Sequence, residues 1–179
     1  MQIRVASYLA ASDLLQREPG RWDALVILDR DAELNPFVVK QTTRHCVLRF
    51  DDIERSTVGK QLVTRDVLAA ALRFADESDR LLVTCRAGQS RSVATAYLIA
   101  CQRLGTTDAL GMLDPKRHVP NRHVVEVGAS LLSADDAAEA FSCWQRQFSH
   151  VRLADYYDAI EGEIDALESA GIVNQISVD

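Results

Sequence analysis

Apolar residues along this chain fall into two kinds of pattern. IRVAS at 3–7, WDALVILD at 22–29, HCVLRF at 45–50 and RLLVT at 80–84 are short apolar runs bounded by polar residues, which predicts buried strands. Between and after them the apolar positions take helical spacing. From Leu62 to Ala75 the apolar residues fall at 62, 63, 67, 68, 71, 72, 74 and 75, which predicts a helix. ASDLLQRE predicts a helix with Ser12 or Asp13 as N-cap, broken by Pro19 and Gly20. RDAELNPFVV reads as a polar, proline-containing connection. SVATAYLIACQRLG, 92–105, predicts a strong helix closed by Gly105.

Beyond Gly105 the pattern is helical throughout. TTDALGML predicts a helix capped by Thr106 or Thr107, and KRHVPN a loop. Pro120 suits the start of a helix running through Leu132. A new segment begins at Ser133 with Asp135 and Asp136 in its first turn, where carboxylates favour a helix start. Apolar residues at 153, 156, 157, 160, 164 and 167 predict a last helix ending at Gly171.

Strands alternating with helices and then giving way to helices predict an α/β fold. Its core is a central, mostly parallel sheet of about four to five strands flanked by helices, with a helical C-terminal part. The 179 residues suit one domain with an appendage, and 47% apolar content is enough for a sizeable core. A net charge of −6 argues against broad nucleic-acid or anionic-membrane binding, which needs a basic footprint. No apolar run reaches membrane-span length, and the N-terminus reads as a strand and helix start rather than a signal peptide. The four cysteines are widely separated with no C-x-x-C pair, which fits free thiols in a reducing cytoplasm. His45, His118, His123 and His150 have no metal-ligand spacing, so no metal and no cofactor are expected.

The stretch LVTCRAGQSRSVATAYL, 82–98, concentrates the chemistry. A strand ends on Cys85, a loop of small residues follows, and a helix opens at about Arg91. Ligands of open α/β sheets bind at the carboxyl ends of strands. Helix N-termini offer unpaired N–H groups and partial positive charge. Arg86, Ala87, Gly88, Gln89 and Ser90 can turn successive backbone amides inward as an anion nest, with Gly88 free to take angles closed to other residues. Arg91 can add a bidentate fork to a phosphate-like oxyanion. The same field favours a thiolate, and a thiolate facing a bound phosphate is poised for attack on phosphorus. Ser92 can donate a hydrogen bond to the sulfur. No Lys-Ser/Thr pair ends the loop, so it is not the P-loop of NTPases.

CRAGQSRS with its following AYLIA helix resembles the active-site signature of cysteine-dependent protein tyrosine phosphatases, closest to the dual-specificity type. FDDI at 50–53 resembles that family's general-acid loop, and HVPNRHVV at 118–125 its Pro-Asn segment. The resemblance covers roughly residues 1–132, read as the catalytic domain, with 133–179 as a helical extension packing on it. It implies phosphomonoester hydrolysis through a phosphocysteine, with phosphotyrosine and possibly phosphoserine or phosphothreonine as the substrate class. The substrate is then a phosphoprotein or a small phosphomonoester, and a phosphate or sulfate ion is expected in the loop. The leaving oxygen needs a proton donor. Asp52 is the candidate, with Asp51 next, and two adjacent carboxylates can raise one another's proton affinity. The sequence departs from the family at Thr84, where a histidine is usual. Two alternatives stay open: a rhodanese-like sulfurtransferase, which needs neither Asp52 nor Ser92, and a non-catalytic phosphate-binding module.

Overall fold

The structure, a computed structural model, describes residues 1–148. Its strands are β1 (Gln2–Ser7), β2 (Asp23–Leu28), β3 (His45–Arg49) and β4 (Arg80–Cys85). Its helices are α1 (Tyr8–Arg17), α2 (Pro36–Gln41), α3 (Arg65–Asp76), α4 (Arg91–Leu104), α5 (Thr106–Leu110), α6 (Arg122–Leu132) and α7 (Asp135–Gln147). The four strands form one parallel sheet in the order β1-β4-β2-β3. The fold is thus α/β with a parallel sheet between helices and a helical C-terminal part. The predicted amphipathic segment ending at Gly171 lies outside the described residues.

Period-two alternation divides the core. Leu25, Ile27, Leu81, Val83 and Cys85 face the layer that contains α3, α4 and α6, together with Phe141 of α7. Ala24, Val26, Leu28 and Leu82 face Leu14 and Leu15 of α1 and Val38 of α2. All six residues of β2 are buried, as expected for an inner strand covered on both faces. Helix α4 is buried over ten consecutive residues, Arg91 to Ala100, so it is the central helix of its layer. Helix α7 closes over it: Tyr97 Oη donates to the Ala137 carbonyl at 2.8 Å, and the Tyr97 and Phe141 rings lie 6.0 Å apart.

Several helix starts differ from the sequence expectation, each for a local reason. Helix α1 is capped by Ser7, whose Oγ accepts from Ala10 N at 3.2 Å, because the chain turns into helix directly from β1; Ser12 lies inside the helix, buried. The connection expected around Pro36 contains α2, with Asn35 Oδ1 accepting from Phe37 N at 2.8 Å and proline at the first turn. Gly105, not a threonine, is the N-cap of α5, and Asn121, one residue after Pro120, caps α6. Ser133 sits between α6 and α7 with φ of 53°. Among the described residues no helix is long and apolar enough to cross a membrane.

The strand order decides where function can sit. The chain leaves β1, skips one position to β2 and β3, and returns to place β4 in the gap. The carboxyl ends of all four strands therefore line one edge, with Ser7 beside Cys85 in register and Asp29 and Phe50 following β2 and β3.

Gly128 lets α6 seat against α4, since a Cβ there would fall on the Leu98 methyl groups. Leu98 is itself buried, so it has no room to withdraw. Gly128→Ala is expected to destabilise the fold by about 1–2 kcal/mol in urea unfolding, overpacking outweighing alanine's helix preference.

Candidate active site

Cys85 ends β4 and is 1% exposed. Its Sγ lies 3.0 Å from Ser92 Oγ, in the first turn of α4. Between them the loop is buried at Ala87, Gly88, Gln89 and Ser90, while Arg86 is exposed. Gly88 takes φ of 68°, and a Cβ on it would fall on the Ser7 amide and the Ala6 carbonyl. The loop thus rests directly on the backbone at the end of β1. The Arg86 carbonyl accepts from Tyr8 N at 3.4 Å on that side. On the other side the Gln89 carbonyl accepts from Val119 N at 3.0 Å.

Arg91 is 2% exposed, an unusual place for a guanidinium. Its Nη1 donates to Asp29 Oδ1 and to the Phe50 carbonyl, each at 2.7 Å. Its Nε is buried with no hydrogen-bond partner among the described residues, 3.7 Å from Asp52 Oδ2. Burial opposes the charge, but Cys85, Asp29, Asp52 and Tyr8 around it more than offset that and hold the guanidinium above its ordinary proton affinity. An oxyanion is the group that would satisfy a buried, unpaired N–H on a charged guanidinium.

The two adjacent aspartates point apart. Asp52 Oδ1 accepts from Ser90 Oγ at 2.7 Å and from Asn121 Nδ2 at 2.8 Å, which ties it to the phosphate-loop candidate. Asp51 is 5% exposed and turns to its own loop, accepting from Gln61 N at 2.6 Å with Lys60 Nζ at 3.5 Å. Burial pushes the Asp51 carboxyl up, but the Gln61 amide and the Lys60 ammonium outweigh it and hold the group below its ordinary value. Mutual repulsion therefore does not raise Asp51, because each carboxylate has its own donors.

Asn121 both caps α6, accepting from Val124 N at 3.0 Å, and bridges Asp52 to the Ile53 carbonyl at 3.3 Å. Asp29 was not singled out by sequence pattern; its only signal was its place as the polar residue that stops the β2 run. Thr84, which stands where the resembled family usually has a histidine, does not take up a hydrogen bond there. Thr84 is 3% exposed and its Oγ1 has no partner among the described residues, because β4's alternation turns it away from the Cys85 face. Gln89 Oε1 is likewise buried and unpaired.

The chain has the fold of the dual-specificity and tyrosine-phosphatase-like cysteine phosphatases. It is similar to the human tyrosine phosphatase-like serine/threonine/tyrosine-interacting protein, with a TM-score of 0.53 and 19% identity over 75% of this chain and 93% of that one. It is also similar to PTPMT1, solved in complex with PI(5)P, with a TM-score of 0.53 and 11% identity over 77% of this chain and 94% of that one. No family model and no curated protein matches the sequence.

Gly88→Ala is expected to lose at least about 2 kcal/mol of stability and to disorder the loop, since it adds left-handed strain to a backbone clash. Urea unfolding and loop amide exchange would show this. A second expectation concerns His118, whose Nδ1 accepts from Asp114 N at 2.9 Å in the segment bonded to Gln89. Burial, aided by Arg117 and opposed by Asp114, lowers its pKa from 6.5 to about 4. The unfolded chain then takes up a proton that the folded chain refuses, so stability falls from about pH 6.5 down to about pH 4 and loses nothing more from this group below that. His118→Asn keeps an acceptor but not the titration. Urea midpoints should therefore fall less steeply over that range in the variant than in the wild type.

Proposed function

We propose that this chain is a cysteine-dependent phosphatase that hydrolyses phosphomonoesters through a phosphocysteine intermediate, with phosphotyrosine, and phosphoserine or phosphothreonine beside it, as substrate class. The observation that carries this reading is Arg91: buried, anchored through Nη1, and with an unpaired Nε in the neighbourhood of Cys85 and Asp52.

In the first step the Cys85 thiolate attacks phosphorus and the ester P–O bond breaks. Asp52 protonates the leaving oxygen, and the amides of residues 86–91 with the Arg91 fork hold the three equatorial oxygens. In the second step water attacks phosphorus, Asp52 takes its proton, and the P–S bond breaks toward sulfur. Ser92, at 3.0 Å, stabilises the departing thiolate by donating its hydroxyl hydrogen. Asp51 is committed to Gln61 and Lys60, which supports Asp52 as the acid. The acidic chain argues for a substrate with few charges beyond the scissile phosphate. A neighbour of the same fold was solved with PI(5)P, which carries a phosphomonoester group, and this is compatible with the class. The same proposal places the catalytic unit at 1–132, with 133–179 as an extension, acting in the cytoplasm without a metal or cofactor.

A non-catalytic phosphate reader is the second reading, favoured by Thr84, which stands where the resembled family usually has a histidine and leaves its hydroxyl unpaired. Hydrolysis of a simple aryl phosphate separates the two. Wild type is expected to turn over, Cys85→Ser to be inactive, and Asp52→Asn to lose about 10²–10⁴-fold in kcat. Asp51→Asn should cost stability more than rate. Tungstate binding without any turnover would establish the reader; full activity in Cys85→Ser would sink the phosphocysteine mechanism.

A further inference from the structure

A guanidinium offers an anion one of its edges, and which edge it shows depends on what holds the others. In Arg91, Nη1 is engaged twice, by Asp29 Oδ1 and by the Phe50 carbonyl, at 2.7 Å each. The edge formed by Nε and Nη2 is what remains, and its Nε is buried and unpaired. That edge carries two parallel N–H bonds, the geometry that matches two oxygens of a tetrahedral anion. A single bond to Phe50 would leave the planar group free to pivot about it. A second anchor fixes the plane.

We propose that Asp29, at the end of β2, is the positioning residue that aims the Arg91 fork at the bound oxyanion. The proposal rests on the reading of Arg91 as the phosphate-binding arginine. Asp29 is suited to the task because its side chain is 46% exposed while Arg91 is 2% exposed, so the carboxylate reaches inward from the rim and can hold the guanidinium without itself being buried. Asp52, 3.7 Å from Nε, does not take that edge as a hydrogen-bond acceptor.

This role makes a prediction of opposite sign to a charge account. Asp29 is an anion beside an anion site, so if only its charge mattered, removing it would tighten oxyanion binding. If it aims Arg91, removing it weakens binding despite the relief of repulsion. The experiment uses the full 179-residue chain. It measures inorganic tungstate affinity by titration, and kcat and KM on an aryl phosphate, in wild type and in Asp29→Ala, Asp29→Asn and Asp29→Glu.

The expected result is a loss of about tenfold or more in tungstate affinity for Asp29→Ala, with kcat/KM falling by at least the same factor. Asp29→Asn, which keeps an acceptor at Oδ1 without the charge, should stay within about threefold of wild type. Asp29→Glu, which keeps the charge but moves the oxygen by a methylene, should resemble Asp29→Ala. Should Asp29→Ala fail to fold, the Asn and Glu variants decide the matter alone. Unchanged or tighter tungstate binding in Asp29→Ala, or a Glu variant equal to wild type beside a crippled Asn variant, overturns the positioning role while leaving the phosphatase reading intact. A wild type that neither binds tungstate nor hydrolyses aryl phosphate overturns the reading of the site and this role with it.

Discussion

One buried charge organises this molecule's working edge. Arg91 begins the central helix and is almost wholly removed from solvent. Such a group is tolerated only where partners surround it, because an isolated charge in a protein interior is costly. The partners come from three separate strand ends: Cys85 after β4, Asp29 after β2, and the Phe50 carbonyl with Asp52 after β3. The guanidinium thus joins segments that are distant in sequence, and the parallel sheet brings them to one edge. Any site built here inherits its geometry from that sheet.

The loop around Cys85 is held from both sides by backbone. Gly88 rests on the Ala6–Ser7 peptide, where no side chain would fit, and the Gln89 carbonyl is tied to Val119. Ser90, placed to cap α4, spends its hydroxyl on Asp52 instead. This exchange leaves the helix N-terminus without a side-chain cap, which is the arrangement an anion at that end would complete. Asn121 does two jobs at once, capping α6 and steadying Asp52, so the helix that follows the Pro-Asn segment also sets the loop that carries Asp52.

Asp51 and Asp52 show how tertiary surroundings separate chemically identical neighbours. Each has its own donors: Gln61 N and Lys60 for one, Ser90 and Asn121 for the other. One carboxylate is consumed in closing its own loop, and the other faces the buried arginine. Repulsion between adjacent side chains was a reasonable expectation from the sequence, but the separate donors of the two carboxylates outweigh it at Asp51.

What the sequence by itself determined is the local architecture and the make-up of one loop. The inner strands β2 and β4 were legible because runs buried on both faces are almost wholly apolar, the edge strands β1 and β3 as short apolar runs bounded by polar residues, and α3 and α4 because helical spacing of apolar residues is strong over three turns or more. The Cys85–Ser92 turn was legible because the residue types that signal it are contiguous, although the contacts that hold it come from distant segments. Caps were less legible, since the start of α1 depends on where β1 ends and not on which polar residue looks most suitable. The short α2 lay hidden in a polar stretch too brief for periodicity to show. Asp29 could not be found at all, because nothing local distinguishes a polar residue that merely ends a strand from one that a returning strand order places against a buried arginine. The different partners of Asp51 and Asp52, the anchoring of Arg91, and the unpartnered hydroxyl of Thr84 were decided only by the tertiary structure, in which β4 inserts between β1 and β2 and distant strand ends come within hydrogen-bonding reach.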